Sequence, residues 1–416
     1  MLKYLVQVTG DLLSTGILLG LAFAFAQVMW SKTGKRSVYI GLLAGLVLAA
    51  AMAFMKTTTN IVDTPLWNTR IAVMTAVAFV VLAVFCIPPI RSRLGRVADI
   101  IGNVTMAAFV AFRLFFNLPV VIAYPANFTT QGNGLASTEF LFRFIGLVLG
   151  IVLIIVVVVS VAKVARAVGG RSSGALFFVG ALALTCSEVM TGLQAMMVRH
   201  VIGRTAFTFN LVKHDDSPLF MYLMVALAAI AVVIIIVRSM RVNEPYDNPA
   251  QRRKIRAKWR SRRRWSAAVL VCLILAACNL TVVDAYASRE VELSPSEDCE
   301  MRADAMYIPF EQVEDGSLHR FTYTTDSGRG VRFIVIKKPN SQAYGIGLDA
   351  CEICGETGYY ERNGQVVCKL CDVVMNINTI GFKGGCNPIP IDYRVENGYI
   401  IVPYETLIEH ESIFKK

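Results

Sequence analysis

Charge is scarce in this chain. Only 17% of its 416 residues are Asp, Glu, Lys or Arg, where a soluble domain carries about a quarter. Histidine is rarer still, with four residues, so a histidine-built metal centre has little to draw on. No Walker loop, dinucleotide fingerprint or serine-protease-like residue order stands out, which leaves the common nucleotide-binding and acyl-transfer classes without support. No cleavable signal peptide is evident. Lys3 is a weak basic start, and no small-residue cleavage site follows the first apolar run.

What the chain has instead is apolar length. It is 55% hydrophobic with a mean hydropathy of +0.55, and Ile145 to Val159 is almost purely apolar. A helix needs roughly 20 apolar residues to cross about 30 Å of hydrocarbon. Eight candidate spans meet or approach that: about 12–30, 38–55, 70–87, 98–119, 140–162, 174–198, 218–237 and 266–286. Gly16 and Gly20 in the first span are separated by three residues and read as helix-packing positions. Cys86, Cys186, Cys272 and Cys278 fall in spans and read as packed small residues.

Basic residues fall in alternate connections. Lys32, Lys35 and Arg36 lie in the first, Arg91, Arg93 and Arg96 in the third, and Lys163, Arg166 and Arg171 in the fifth. The seventh, 238–264, holds eleven Lys or Arg against Glu244 and Asp247. The positive-inside rule makes these loops cytoplasmic and places the N-terminus and the C-terminal domain outside. Residues 1–284 carry 28 basic against 10 acidic residues, net +18; residues 285–416 carry 13 against 20, net −7, and together they make the chain's +11. The basic run Arg252–Arg264 therefore needs only anionic headgroups, and it is no argument for nucleic acid.

The expected division is a helical membrane domain at 1–286, a linker at 287–304 and a β-rich head at 305–416. In the head, Arg320–Tyr323 and Val331–Ile336 flank a turn-rich Asp326–Gly330 and read as a hairpin. Tyr344–Leu348 is a strand leading into the first cysteines. Asn397-Gly398 turns a second hairpin into strand Tyr399–Val402, and Tyr404–Phe414 reads as a terminal helix.

Five cysteines crowd this head. Cys351-x2-Cys354 and Cys368-x2-Cys371 are separated by thirteen residues, and Gly384-Gly385-Cys386-Asn387-Pro388 follows. A two-residue gap lets one turn present two thiolates to one ion, and thiolates suit zinc, iron and iron–sulfur clusters. Asn363-Gly364 would turn a hairpin that brings the pairs together. Cys386 goes beyond the four ligands that structural zinc or mononuclear iron needs. It fits a cluster with a larger ligand set, or a reactive thiol beside the metal. Disulfides compete: with Cys299 the head has six cysteines, which allow fifteen pairings. Closely spaced C-x2-C pairs suit metal capture or thiol exchange better than ordinary staples. Asp349, beside Cys351, reads as a residue that orients the ligand loop or accepts local amides.

Within the apolar region Glu188 is the sharpest feature, since an unpaired carboxylate there is costly. Glu188, Gly192, Ala195 and Arg199 share a helix face, and Arg113 in the fourth span is a candidate partner. A proton, metal or quinone site is one reading of this pair; an interhelical ion pair is the other. Glu139 and Arg143 read as interface residues. His200 and His214 beside Met196 and Met197 leave haem ligation open without a recognisable paired pattern.

The head resembles the FtrD-like membrane iron–sulfur proteins of bacterial iron-uptake systems. The resemblance rests on Arg332–Val335, Gly347–Gly355, Gly358-Tyr359, Val367–Cys371 and Gly384–Pro390, and it is specific over about 320–402. The membrane region is similar mainly in architecture. The resemblance implies an iron–sulfur cluster held by Cys351, Cys354, Cys368, Cys371 and Cys386, in a protein that moves electrons during iron handling. It also implies an iron permease and periplasmic iron-binding or redox proteins as partners. Structural zinc in a scaffold, mononuclear iron, and transmembrane thiol–disulfide exchange remain the competing readings.

Overall fold

A computed structural model of the chain describes residues 2–59, 62–128, 138–203, 205, 208, 218–242, 244–287, 291–339, 341–362, 364–371 and 373–414. Two compact units result. One comprises Met1–Phe128 and Thr138–Ser288, the other Arg289–Lys416.

The first unit is a helix bundle. Its long helices are α1 (Leu2–Thr58), α2 (Thr64–Cys86), α4 (Arg96–Ala123), α5 (Thr138–Val168), α6 (Gly170–Val198), α7 (Leu219–Met240) and α8 (Pro249–Cys278); a short α3 (Pro88–Leu94) precedes α4. Among the described residues, seven helices are long and apolar enough to cross a membrane. The protein is a multi-pass membrane protein. Eight apolar segments are nonetheless present, because α1 breaks at Ser31, whose φ of 55° and ψ of −118° are not helical. The rings of Phe23 and Tyr39 lie 5.1 Å apart, whereas sixteen residues of unbroken helix would separate them by about 24 Å. The chain therefore doubles back, and residues 2–30 and 32–58 are each long enough to span. Gly34 permits the reversal, since a Cβ there would lie 2.0 Å from the Ala26 carbonyl oxygen. The corner is pinned by Trp30, whose indole N–H donates to Asp99 at 3.0 Å, and by Arg91, which bonds the same carboxylate at 2.8 Å.

Small residues set the packing of both halves. A Cβ on Gly20 would lie 2.9 Å from the Val158 carbonyl oxygen of α5, and one on Gly16 2.9 Å from the Ile154 side chain. Gly41 and Gly45 play the same part against α4: a Cβ on Gly41 would lie 2.5 Å from the Ala107 carbonyl oxygen. Close backbone approach through small residues is the usual route to helix association where no water is expelled. Of the span cysteines, Cys272 is buried and Cys86 half-buried, but Cys186 and Cys278 face outward. Outward cysteines in an apolar surround cost little, so packing does not require them to turn in. The last helix continues past Cys278 through a π turn, Asn279–Val283, where the Asn279 amide donates to the Thr9 hydroxyl at 2.7 Å.

Among the described residues, the second unit is built from nine strands. Sheet order is β1 (Glu300–Met301), β2 (Ala305–Pro309), β9 (Tyr399–Pro403), β8 (Arg394–Glu396) in one sheet and β3 (His319–Thr324), β4 (Gly330–Lys337), β5 (Tyr344–Leu348) in another; β6 (Tyr359–Arg362) and β7 (Gln365–Cys368) form a separate hairpin. All pairings are antiparallel. The β8–β9 turn places Asn397 at φ 49° and Gly398 at φ 84°, the two positive values that a type I′ hairpin requires. β4 explains its own sequence. Phe333 and Val335 face one core with Phe321, Ile346, Ile400 and Val402, while Ile334 and Ile336 face a second with Tyr359, Val366 and Ile380. A strand buried on both faces reads as a continuous apolar run. The expected terminal helix is short, Tyr404–Glu409, followed by a 3-10 turn, Glu411–Ile413. Residues 291–304, expected as linker, carry head contacts: β1 pairs with β2, and the Glu297 amide donates to the Arg320 carbonyl at 2.7 Å.

Candidate metal centre

Three loops build the centre, and each is positioned by a strand. The first leaves β5 directly. Its turn is closed by reciprocal backbone bonds, Cys351 N–H to Gly355 C=O at 3.1 Å and Gly355 N–H to Cys351 C=O at 2.9 Å. Gly355 sits at φ 64°, where a side chain would be strained. The Cys354 amide donates to the Cys351 sulfur at 3.1 Å. The second loop leaves β7. There the Cys368 amide donates to Val373 C=O, and the Cys368 sulfur accepts the amides of Cys371 and Leu370. The two C-x2-C turns thus use one device: the amide of the later cysteine points at the earlier sulfur. The third loop reaches Cys386 through Gly384 and Gly385, both at positive φ. It is clamped to the first by Ile389 N–H to Ala350 C=O at 3.1 Å and Leu348 N–H to Ile389 C=O at 2.7 Å.

The five sulfurs converge. Cys351, Cys354 and Cys386 form one group and Cys354, Cys368 and Cys371 another, with the sulfurs of each group within 4.8 Å of one another. Cys354 belongs to both. Cys371 and Cys386 approach to 3.8 Å. Among the described residues these are the groups of metal-ligating side chains dense enough to hold an ion. Each can bind a metal ion. Cys351 and Cys368 are buried, Cys354 and Cys386 are half-buried, and Cys371 is exposed, so the centre has a closed floor and an open mouth. The floor is apolar, lined by Ile334, Ile336, Val366, Met375 and Ile380.

Burial raises the Cys354 thiol well above the ordinary cysteine range, with neighbouring sulfurs adding to the effect, and burial raises the Cys368 thiol as well. Gathering several thiols in an apolar pocket is unfavourable for thiolates until a cation is present, which inverts the local electrostatics. The donor set therefore fits a thiolate-bound metal group, with sulfur donors and amide hydrogens aimed at the sulfurs.

Sequence reasoning missed the support beneath. Tyr359 is buried and pairs across the hairpin with Cys368. Its hydroxyl donates to the Cys386 carbonyl at 2.6 Å, tying the third loop to the second. Burial, with the nearby Cys351 and Cys368 sulfurs, raises its phenol far above the ordinary value. Asp349 is fully buried and accepts the Tyr359 amide at 2.8 Å, Arg320 Nε at 2.9 Å and Arg332 Nε at 3.2 Å. Arg320 also donates to the Tyr359 carbonyl, and Arg332 to the Glu356 carbonyl. Two guanidiniums around one carboxylate lock the cysteine loops to the sheet. The signal for Asp349 was its place beside Cys351; Arg320 and Arg332 read as ordinary alternating strand residues. Asn363 of the hairpin turn lies outside the described residues, and Gly364 beside it sits at φ 72°.

In the bundle, Arg113 and Glu188 meet as a buried ion pair, and Arg113 also donates to the Leu184 carbonyl at 3.3 Å. Arg199 pairs with Asp63 at 2.5 Å. His200 is exposed, while His214 and the Glu139 side chain lie outside the described residues. Arg143 donates to the Phe128 carbonyl at 3.5 Å.

The cysteine loops and their supporting residues lie within a stretch that matches a known family. Residues 313–414 match the family described as "Membrane iron-sulfur containing protein FtrD-like". The match covers the head alone, from Val313 through Phe414, and includes all five cysteines together with Arg320, Arg332, Asp349 and Tyr359. Comparison with curated proteins returns no match, and comparison with solved structures returns none.

Proposed function

We propose that the protein is a membrane-bound electron-transfer component of bacterial iron uptake. Its head would use an iron–sulfur centre to exchange electrons with a periplasmic or membrane partner. The observation that carries this reading is the convergence of five cysteine sulfurs, inside the matched stretch, on a centre whose mouth is open. Cys351, Cys354, Cys368, Cys371 and Cys386 would hold the group. When bound, it supplies reversible one-electron chemistry. The chain's own residues do the rest: apolar side chains exclude water from the floor, amides polarise the sulfurs, and the Arg320–Asp349–Arg332 network fixes the loops.

The mouth is suited to contact. Ile353, Leu370 and Phe382 are 69%, 63% and 61% exposed, and each stands on a cysteine-bearing loop or just before it. Exposed apolar side chains clustered at one site support a docking surface. The partners we propose are an iron permease and periplasmic iron-binding or redox proteins. The alternating basic loops support a place in the cytoplasmic membrane with the N-terminus and head outside. We assign Glu188 and Arg113 a role inside the bundle, developed below.

Sulfur spacing favours a second reading. Metal–sulfur bonds of about 2.3 Å set tetrahedral sulfurs about 3.8 Å apart, and the Cys371–Cys386 separation is 3.8 Å. One zinc or iron ion held by four cysteines would suit a stapled scaffold of an iron-transport complex. Thiol–disulfide exchange is the third reading. Anaerobic purification with iron, zinc and acid-labile sulfide analysis separates them, with visible and EPR spectra before and after reduction. Iron with sulfide and a reversible signal is expected. Zinc alone with no redox response would sink the electron-transfer reading, and metal-free protein with reductant-dependent thiol counts would leave thiol exchange.

A further inference from the structure

A cleft of about 300 Å³ opens between α2 and α6, lined by Pro65, Asn68, Thr191, Gln194, Val198 and Arg199. Its volume falls at the lower end of small-molecule sites. Arg199 is engaged by Asp63 through two bonds of 2.5 Å, so the cleft offers no free cation for a phosphate. It does offer two half-buried side-chain amides, Asn68 and Gln194, with no hydrogen-bond partner among the described residues. A neutral ligand with carbonyl or hydroxyl oxygens answers those groups.

A second observation lies one helical turn along α6. Thr69 donates to the Gly192 carbonyl at 3.4 Å, and beyond it Glu188 pairs with Arg113. Glu188 is 1% exposed; among the described residues its Oε2 and the Arg113 Nε lack a close hydrogen-bond partner, with the Thr75 hydroxyl of α2 also acting on the carboxylate. A free carboxylate oxygen inside a membrane bundle is costly unless a proton or ligand comes to it. The polar groups Asn68, Gln194, Thr191, Thr69 and Glu188 thus run along the α2–α6 seam from cleft to ion pair.

We propose that this cleft binds the ring of a quinone-class lipid, its two oxygens accepting from or donating to Asn68 and Gln194, and that Glu188, on α6 outside the cleft lining, is the terminal proton acceptor. Oxidation of the hydroquinone breaks two O–H bonds and releases two electrons and two protons. The iron–sulfur centre of the proposed function, on which this step rests, would accept the electrons singly. One proton goes to Oε2 of Glu188 and the other to water at the cleft mouth. The binding itself does not depend on the centre.

The test uses the full chain in nanodiscs of dioleoylphosphatidylcholine, titrated with decylubiquinone. Trp67 precedes Asn68 and reports by fluorescence quenching, with Trp67→Phe as the control. Saturable quenching is expected, and the Asn68→Leu/Gln194→Leu double variant should raise Kd about tenfold, the size of two ordinary hydrogen bonds. Glu188→Gln should keep Kd within about twofold and slow decylubiquinol-driven bleaching of the centre at least tenfold, beyond what one neutral hydrogen bond supplies. Unsaturable quenching, equal binding by the double variant, or full displacement by dioleoylphosphatidylglycerol would overturn the assignment. Iron and sulfide are measured on the same samples. Quinone binding with a zinc-only head would keep the cleft and remove the electron step with the proposed function.

Discussion

Cys354 is the residue on which the centre turns, because its sulfur belongs to both groups of three. Replacing Cys354 by Ser should therefore cost more bound metal than replacing Cys386, which belongs to one. Metal content per chain after anaerobic purification checks the order; equal losses would show the groups are not independent. Arg320 carries a different load. It is 1% exposed and bonds Asp349, Tyr359 and Ser294. Arg320→Ala leaves Asp349 with the Tyr359 amide and, as its one cation, the half-buried Arg332, and breaking such a buried pair costs about 3–5 kcal/mol. Denaturant titration should show that loss, with Arg320→Lys recovering only part, since an ammonium cannot reach three partners. His319 sets a pH dependence. Burial alone would lower its pKa, but hydrogen bonds to Asp315 at 2.8 Å and Glu297 at 2.9 Å outweigh it and hold the imidazole above its ordinary value. A raised pKa stabilises the fold fully below the unfolded value, about 6.5, and that stability is lost as pH rises through the folded value. The melting temperature of the head transition should fall as pH rises above about 6.5, and His319→Gln should flatten that slope.

At the scale of the element, the cysteine turns were legible because their chemistry is local. A C-x2-C spacing dictates one tight turn, and the strands that deliver the two turns were signalled by the short run Tyr344–Leu348 and by the Asn363-Gly364 hairpin turn. β1 and β2 were not legible. Glu300–Met301 is too short for a pattern, and Ala305–Pro309 gains its meaning only by pairing with Tyr399–Pro403 almost a hundred residues later. The helical hairpin in α1 shows the same limit. Two spans were evident, yet nothing in Ser31 itself marks a break; Trp30, Arg91 and Asp99 hold the corner from three different elements. Its packing makes a sharp prediction. Gly41→Leu would drive a side chain into the α4 backbone, where even a Cβ would lie 2.5 Å from the Ala107 carbonyl oxygen. Overpacking of this kind costs about 1–3 kcal/mol or more, so detergent-solubilised yield and melting temperature should drop, while Gly95→Ala, with no atom nearby, tests backbone strain alone.

At the scale of the molecule, charge divides the chain. A net +18 over residues 1–284 and −7 over 285–416 are what the proposed topology, with basic loops inside and an acidic head outside, requires. The expected topology follows: an alkaline phosphatase fused after Lys416 should be active and a green fluorescent protein there dark. The reverse pattern would place the head in the cytoplasm and remove periplasmic partners from the proposal. Among the described residues the bundle holds one buried ion pair, Arg113–Glu188, where removal of either member leaves the other stranded in apolar surroundings. Glu188→Gln keeps the shape and one hydrogen bond, so it should fold where Glu188→Leu does not, as size-exclusion profiles would show.

Composition and periodicity alone determined that this chain crosses a membrane repeatedly and ends in a β-rich, cysteine-bearing head. Those features follow from local rules: apolar length against bilayer thickness, and the geometry of a two-residue gap between thiols. Tertiary structure decided which groups meet. Cys386 joins the two pairs only because Ile389 and Leu348 clamp its loop to the first. Arg320 and Arg332 reach Asp349 from neighbouring strands, and Asn68 faces Gln194 across two helices. Such meetings depend on register and long-range packing, which no short window of sequence contains.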